Sequence, residues 1–165
     1  HLLDTAGISA HLVEEAVSAS EVIVLAAPAQ AADVVARNLG DVSGKVVVDT
    51  MNGVFMRPEG FANTTDAILA NCNTTDVVKC FNTTGFENML DPRYGNQSAD
   101  MFVAGNSSRG KQVAIQLAHD LGFGKTWDFG GLDKVSLLEQ FALCWINLAI
   151  MQKHGRGIAF KVLER

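Results

Sequence analysis

Strong positive charge is the first thing this chain lacks. Its 165 residues carry 13 Lys and Arg against 18 Asp and Glu, giving a net charge of -5 and a pI near 5.2. No basic run exceeds a pair. Such a balance excludes a nucleic-acid or anionic-membrane surface as the main partner and leaves small molecules or other proteins. Cysteine is scarce too. Cys72, Cys80 and Cys144 are odd in number and form no C-x-x-C, which excludes a disulfide framework or a zinc site and fits free thiols packed in the core in a reducing, cytoplasmic compartment. No signal peptide opens the chain, and the most apolar helical stretch is interrupted by Glu139, Gln140 and Asn147, so no membrane span is expected. The N-x-[ST] triplets at Asn63, Asn73, Asn82, Asn96 and Asn106 therefore read as turn and cap residues, not glycosylation sites. Neither H-x-x-x-H nor G-x-S-x-G occurs, and His11, His119 and His154 lie on predicted helices or helix ends with polar neighbours, as on solvated faces.

What is present is enough apolar material for one ordinary domain: 48% of residues are hydrophobic and 19% charged. Val22 to Ala27, Lys45 to Asp49, Val77 to Phe81, Met101 to Ala104 and a weaker Lys125 to Phe129 read as strands. Helical patterns separate them: Ala10 to Ser18 capped by Ser9, Ala29 to Asn38, a short Thr65 to Ala70, and an amphipathic Ser107 to Leu121 closing at Gly122. Strands that alternate with helices need crossover connections, hence a doubly wound α/β fold with a parallel sheet covered on both faces. Phe55 to Ala62 and Glu87 to Gln97 read as longer loops. Beyond them Asp133 caps a helix to about Lys153, with Leu137, Leu138, Phe141, Cys144, Trp145, Leu148 and Met151 at three- and four-residue spacing. That face either packs on the sheet or serves, through Phe141, Trp145 and Leu148, as a homodimer interface. A short helix over Ile158 to Leu163 follows Gly155 and Gly157. The chain divides into a domain over 1–131 and carboxyl-terminal helices over 132–165.

In an open parallel sheet, ligands bind outside the carboxyl ends of the strands. Three such ends carry polar or backbone-shaping residues: A-A-P-A-Q (Ala26 to Gln30), D-T-M-N-G (Asp49 to Gly53) and F-N-T-T-G (Phe81 to Gly85). Each alone is ordinary turn chemistry, with Pro28, Asn52, Gly53 and Gly85 as residues that turns favour. Side by side they offer what a planar ring and its carboxamide need: apolar walls at Ala26, Ala27 and Pro28, and hydrogen-bonding groups at Asn52, Asn82 and Thr83.

The run V-V-K-C-F-N-T-T-G-F-E-N-M-L-D-P, with S-A-D-M-F-V-A-G-N, L-L-E-Q-F-A-L-C-W-I-N-L-A and G-R-G-I-A-F-K after it, resembles the NADP oxidoreductase, coenzyme F420-dependent family. The resemblance implies a Rossmann-type fold and hydride transfer between NADP(H) and a deazaflavin (coenzyme F420), a flavin or another acceptor. It also implies a G-x-G-x-x-G turn, which this sequence lacks. The chain opens at His1 in mid-pattern, so it reads as the second half of such a domain, with the turn for the pyrophosphate outside it, or else as a natural domain that lacks that turn. G-N-S-S-R-G-K-Q (Gly105 to Gln112) nearly matches a phosphate-binding Walker loop but ends in Gln112 where a Ser or Thr is needed, and reads as a capped helix start. No side chain stands out as a catalytic acid or base. Hydride transfer is compatible with that lack, because the cofactor carries the chemistry. Two other readings are a non-catalytic NADP(H) sensor acting through the Trp145 helix and a ferric-reductase-like domain.

Overall fold

The computed structural model describes residues 7–165; the opening at His1 lies outside them. Seven strands and six α-helices follow in the order α1 (Val13–Ser18), β1 (Val22–Leu25), α2 (Ala32–Arg37), β2 (Val46–Asp49), α3 (Thr64–Asn71), β3 (Val77–Cys80), α4 (Phe86–Leu90), β4 (Arg93–Tyr94), β5 (Gln97–Ser98), β6 (Met101–Ala104), α5 (Ser108–Asp120), β7 (Thr126–Gly130) and α6 (Val135–Ile146). Short 3-10 turns precede α2 and α6, and a π-turn at Asn147–Met151 extends α6. The main sheet has the order β1-β2-β3-β6-β7.

This is the expected α/β class, with one departure. β1, β2 and β3 run parallel, β6 runs antiparallel to β3, and β7 is parallel to β6. The cause is the segment between β3 and β6. It is no crossover helix alone but α4 followed by the β4–β5 hairpin, which turns about Gly95 at φ +64 and returns the chain on the same side.

Strand alternation sorts the core into two layers. Ile23, Leu25, Val47 and Val77 meet Ala32, Ala36, Ala67 and Ile68 of α2 and α3. Val46, Val48, Val78, Cys80 and Val103 meet Ala114 and Ala118 of α5 on the other face. On the α2–α3 side Phe102 and Ala104 meet Val135 and Leu138 of α6, extended by stacked and edge-on contacts among Phe102, Phe129, Phe141 and Phe160 at centroid distances of 4.5 to 6.0 Å. The expected two-sided cover fails at β1. Val24 stays 53% exposed, and β1 is a sheet edge among the described residues.

Three other expectations are corrected. Leu12, not Ser9, precedes α1, and its backbone N–H is capped by Glu15. Cys80 alone of the thiols is fully buried, whereas Cys144 is exposed. Ile158 to Leu163 forms no helix. Its backbone groups are taken by other elements: the Phe160 carbonyl accepts from Asp100 N, and Val162 N donates to the Asp100 carboxylate. Six residues cannot offset helix nucleation against such partners. His11, His119 and His154 are exposed, as expected. By length and composition alone Leu132–Met151 is apolar enough to cross a membrane, at a mean hydropathy of 1.3, but it packs on the sheet through Val135, Leu138, Ala142 and the buried Glu139.

Candidate functional site

The parallel register sets Leu25, Asp49 and Lys79 abreast, so the three polar strand ends leave the sheet at one level. Thr50 ties the first two ends together, its N–H and hydroxyl both donating to the Leu25 carbonyl at 3.1 and 2.9 Å. At the third end the chain turns on Phe81, which is buried and takes φ +62, a left-handed conformation that bulky side chains avoid. Strain of this kind persists only where the surroundings enforce it, and it is concentrated at binding and active sites.

The turn delivers Asn82 to Asn52. The Asn52 amide donates to the Asn82 carbonyl at 2.8 Å, and the Asn82 amide donates to Asn52 Oδ1 at 2.9 Å and to the Leu138 carbonyl of α6 at 3.4 Å. Those two acceptors fix the orientation of the Asn82 amide, since the opposite rotation would set its oxygen against both. Asn82 Oδ1 is then left buried with no hydrogen-bond donor among the described residues. A buried polar atom without a partner is rare and costs about 1–3 kcal/mol, so it calls for a ligand or another explanation.

Of the residues expected at the site, Asn52 and Asn82 are thus brought into contact, with Asn52 half-buried and Asn82 buried. Ala26 and Pro28 are exposed and Ala27 half-buried at the adjoining end of β1. They make no hydrogen bond to the asparagine pair. Thr83 is buried with its hydroxyl 4.0 Å from Met101 Sδ, a weak partner. The near-Walker loop lies at the opposite edge, beside the start of β3, where a side chain on Gly105 would meet the Val77 carbonyl. There Ser107 caps α5 by accepting from Gly110 N at 2.7 Å, as expected, while Arg109 and Lys111 are spent on Asp76 and Asp128.

Beneath the asparagine pair lies a charged cluster that sequence reasoning missed. Lys79 Nζ, wholly buried, donates to the Met51 carbonyl at 2.7 Å and Glu139 Oε1 at 2.9 Å, and meets Asp49 Oδ2 at 2.7 Å and the Thr64 hydroxyl. Asp49 Oδ2 also accepts from Thr64 and Thr65 at 2.6 and 2.8 Å, and its Oδ1 accepts from Met51 N at 2.9 Å. Asp49 does not open a polar turn, as its place in D-T-M-N-G suggests; it is the last residue of β2 and has no exposure. The signal was one charge of each sign inside two neighbouring apolar strands, V-V-V-D and V-V-K-C, because such charges are buried only in pairs. The Cys80 thiol, next on β3, is pushed up to about 12 by burial, which removes it as a nucleophile.

A sheet of this order, with polar residues gathered at the carboxyl ends of its parallel strands and helices on its faces, defines a Rossmann-type α/β domain. The sequence model of the family NADP oxidoreductase, coenzyme F420-dependent, matches residues 1–53. That is the family the later motifs resemble, although the match falls on β1, β2 and the Asn52 turn and not on the run from Val77. Among solved structures the chain is similar to a candidate F420-dependent NADP-reductase from Arthrobacter sp. FB24, with 23% identity and a TM-score of 0.74 over 93% of this chain and 74% of that one. It is also similar to a hypothetical protein from Sinorhizobium meliloti, with 24% identity and a TM-score of 0.63 over 93% and 71%. An imine reductase from Streptomyces aurantiacus shares 19% identity at a TM-score of 0.57, covering 87% of this chain and 47% of that one. These likenesses establish the fold. No relative was found among curated proteins.

Proposed function

We propose that the chain is the nicotinamide-binding part of an NADP(H)-dependent oxidoreductase, passing hydride between nicotinamide and a deazaflavin, flavin or similar acceptor. The observation that carries this reading is the Asn52–Asn82 pair with its orphaned Asn82 Oδ1. A carboxamide N–H is the kind of donor that such an oxygen lacks, which is the chemistry a nicotinamide would bring once the turn around the covered Asn82 Oδ1 parts. When bound, that ring supplies the two-electron chemistry. The chain supplies the rest: Asn82 and Asn52 fix the amide and so the ring face, Ala26 to Pro28 form an apolar wall, and Pro28 offers it no N–H. A general acid or base is not required of the crevice.

Two substitutions test the reading in single-turnover loss of reduced-nicotinamide absorbance with a deazaflavin or flavin. Asn82→Ala and Thr83→Val should each weaken NADP(H) binding by only about 0.5–1.5 kcal/mol, one hydrogen bond's worth. They should lower transfer by more, because a misplaced ring reacts slowly. Normal turnover in both variants overturns the site, and binding without any transfer in the unaltered protein favours the sensor reading. We also propose a second copy of the chain as partner. Its contact would use the exposed Leu137 and Leu148 of the α6 region, since Phe141 and Trp145 point inward.

A further inference from the structure

The Lys79 cluster holds more charge than stability explains. A buried ion pair is often no more stabilising than apolar residues of the same volume, so its presence in a core is weak evidence of a stabilising role. Its location is more informative. The peptide of Met51 is held at both ends, its N–H by Asp49 Oδ1 and its carbonyl by Lys79 Nζ, and Asn52 is the next residue. Lys79 itself stands three residues before Asn82 on the same strand end. From the far side α6 makes two successive contacts, the Leu138 carbonyl with the Asn82 amide and Glu139 Oε1 with Lys79 Nζ. The other oxygen, Glu139 Oε2, lies 3.1 Å from where a side chain on Gly53 would begin, so the D-T-M-N-G loop rests directly on this carboxylate.

We infer that Lys79, with Asp49 and Glu139, is the positioning group of the site: it fixes the Asn52 loop, the Asn82 turn and α6 relative to one another, and so sets the geometry in which the asparagine pair meets its ligand. This rests on the reading of the crevice given above. The three elements come from distant parts of the chain, and apolar packing alone would let them slide by fractions of an ångström. An ammonium with three protons directed at fixed acceptors does not slide without losing a partner. Reaction rates respond steeply to displacements of that size, while binding through remote groups does not.

The test uses the full chain with two changes at one position. Glu139→Gln keeps an oxygen for Lys79, whereas Glu139→Leu cuts the tie to α6 and leaves Lys79 and Asp49 as a neutral pair. The side-chain amide resonances of Asn52 and Asn82 and their exchange with water report the geometry without any cofactor. Single-turnover hydride transfer and NADP(H) affinity report its use. The expected result is near-normal amide signals and transfer in Glu139→Gln. Glu139→Leu should show displaced, faster-exchanging amides and transfer down about tenfold or more, with affinity within about threefold. If Glu139→Leu does not fold, Lys79→Met with Asp49→Asn and Glu139→Gln, which removes the tie and leaves no buried charge unpaired, takes its place. Undisturbed amide signals in a folded variant lacking the tie overturn the positioning role. Displaced amides in a protein whose unaltered form transfers no hydride uphold the positioning role and overturn the function.

Discussion

Phe81 and Gly85 exchange the roles that their residue types suggest. The glycine of F-N-T-T-G reads as a turn residue, yet its φ is an ordinary -78°. Gly85 is glycine because neighbours crowd it: a Cβ would meet Glu87 Oε2 at 2.5 Å, the Trp145 ring at 2.9 Å and the Arg156 guanidinium at 3.0 Å. The left-handed residue is Phe81, which no propensity rule would select. Gly85→Ala should therefore destabilise the protein by about 1–3 kcal/mol through overpacking against the Trp145 ring, measured as a lowered denaturant midpoint with an unchanged slope. An unchanged midpoint would mean that the pocket around Gly85 can open. At this scale the sequence revealed that Asn52 and Asn82 leave neighbouring strand ends, where they meet, because polar residues at the end of an apolar strand are legible. It hid how they are held, since strain at Phe81 and charge pairing at Lys79 exist only once distant segments meet.

The elements follow the same division. The helical pattern over Ser107 to Leu121 matches α5 closely, as amphipathic spacing and a Ser cap are local signals. The direction of the wide apolar face of α6 is not a local property. Trp145, expected at a dimer contact, is 4% exposed in its own chain and donates from Nε1 to the Ile158 carbonyl at 2.6 Å. Trp145→Glu should consequently unfold the protein, lowering stability by roughly 3–5 kcal/mol or more as for loss of a buried Trp, instead of releasing folded monomers. Circular dichroism with sedimentation distinguishes the two outcomes, and a folded monomer would restore the original placement of the interface.

The carboxyl-terminal strap over Ile158 to Leu163, which forms no regular element, depends on Asp100. Burial pushes the Asp100 carboxyl upward, but donation from the Trp127 indole, Val162 N, Lys125 N and the Lys161 ammonium outweighs it and holds the carboxyl below its ordinary value. A carboxyl with a depressed value in the folded state contributes stability that is full above the unfolded value, about 3.9, and is lost as pH falls through the lower folded one. Trp127 fluorescence and exchange at Val162 N should therefore report release of the strap only below about pH 4. Asp100→Asn should remove that pH dependence and weaken the strap at neutral pH. Release beginning near pH 6 would point to a different group.

At the scale of the whole molecule, alternation of strands and helices was enough to identify the α/β class. The reversal of β6 was not legible, because M-F-V-A reads equally well in either direction. That reversal has a mechanical consequence. β3 and β6 pair at two positions only, Lys79 with Ala104 and Cys80 with Val103, against four for β1–β2 and four for β6–β7. The sheet thus has a seam, with β1 to β3 on one side and β6, β7 and α6 on the other. Across it, from Lys79 on β3 to Glu139 on α6, runs the buried ion pair. Parting the two sides would strand both charges away from water, so opening is discouraged where backbone pairing is thinnest, and the two sides are bound to melt as a single cooperative unit.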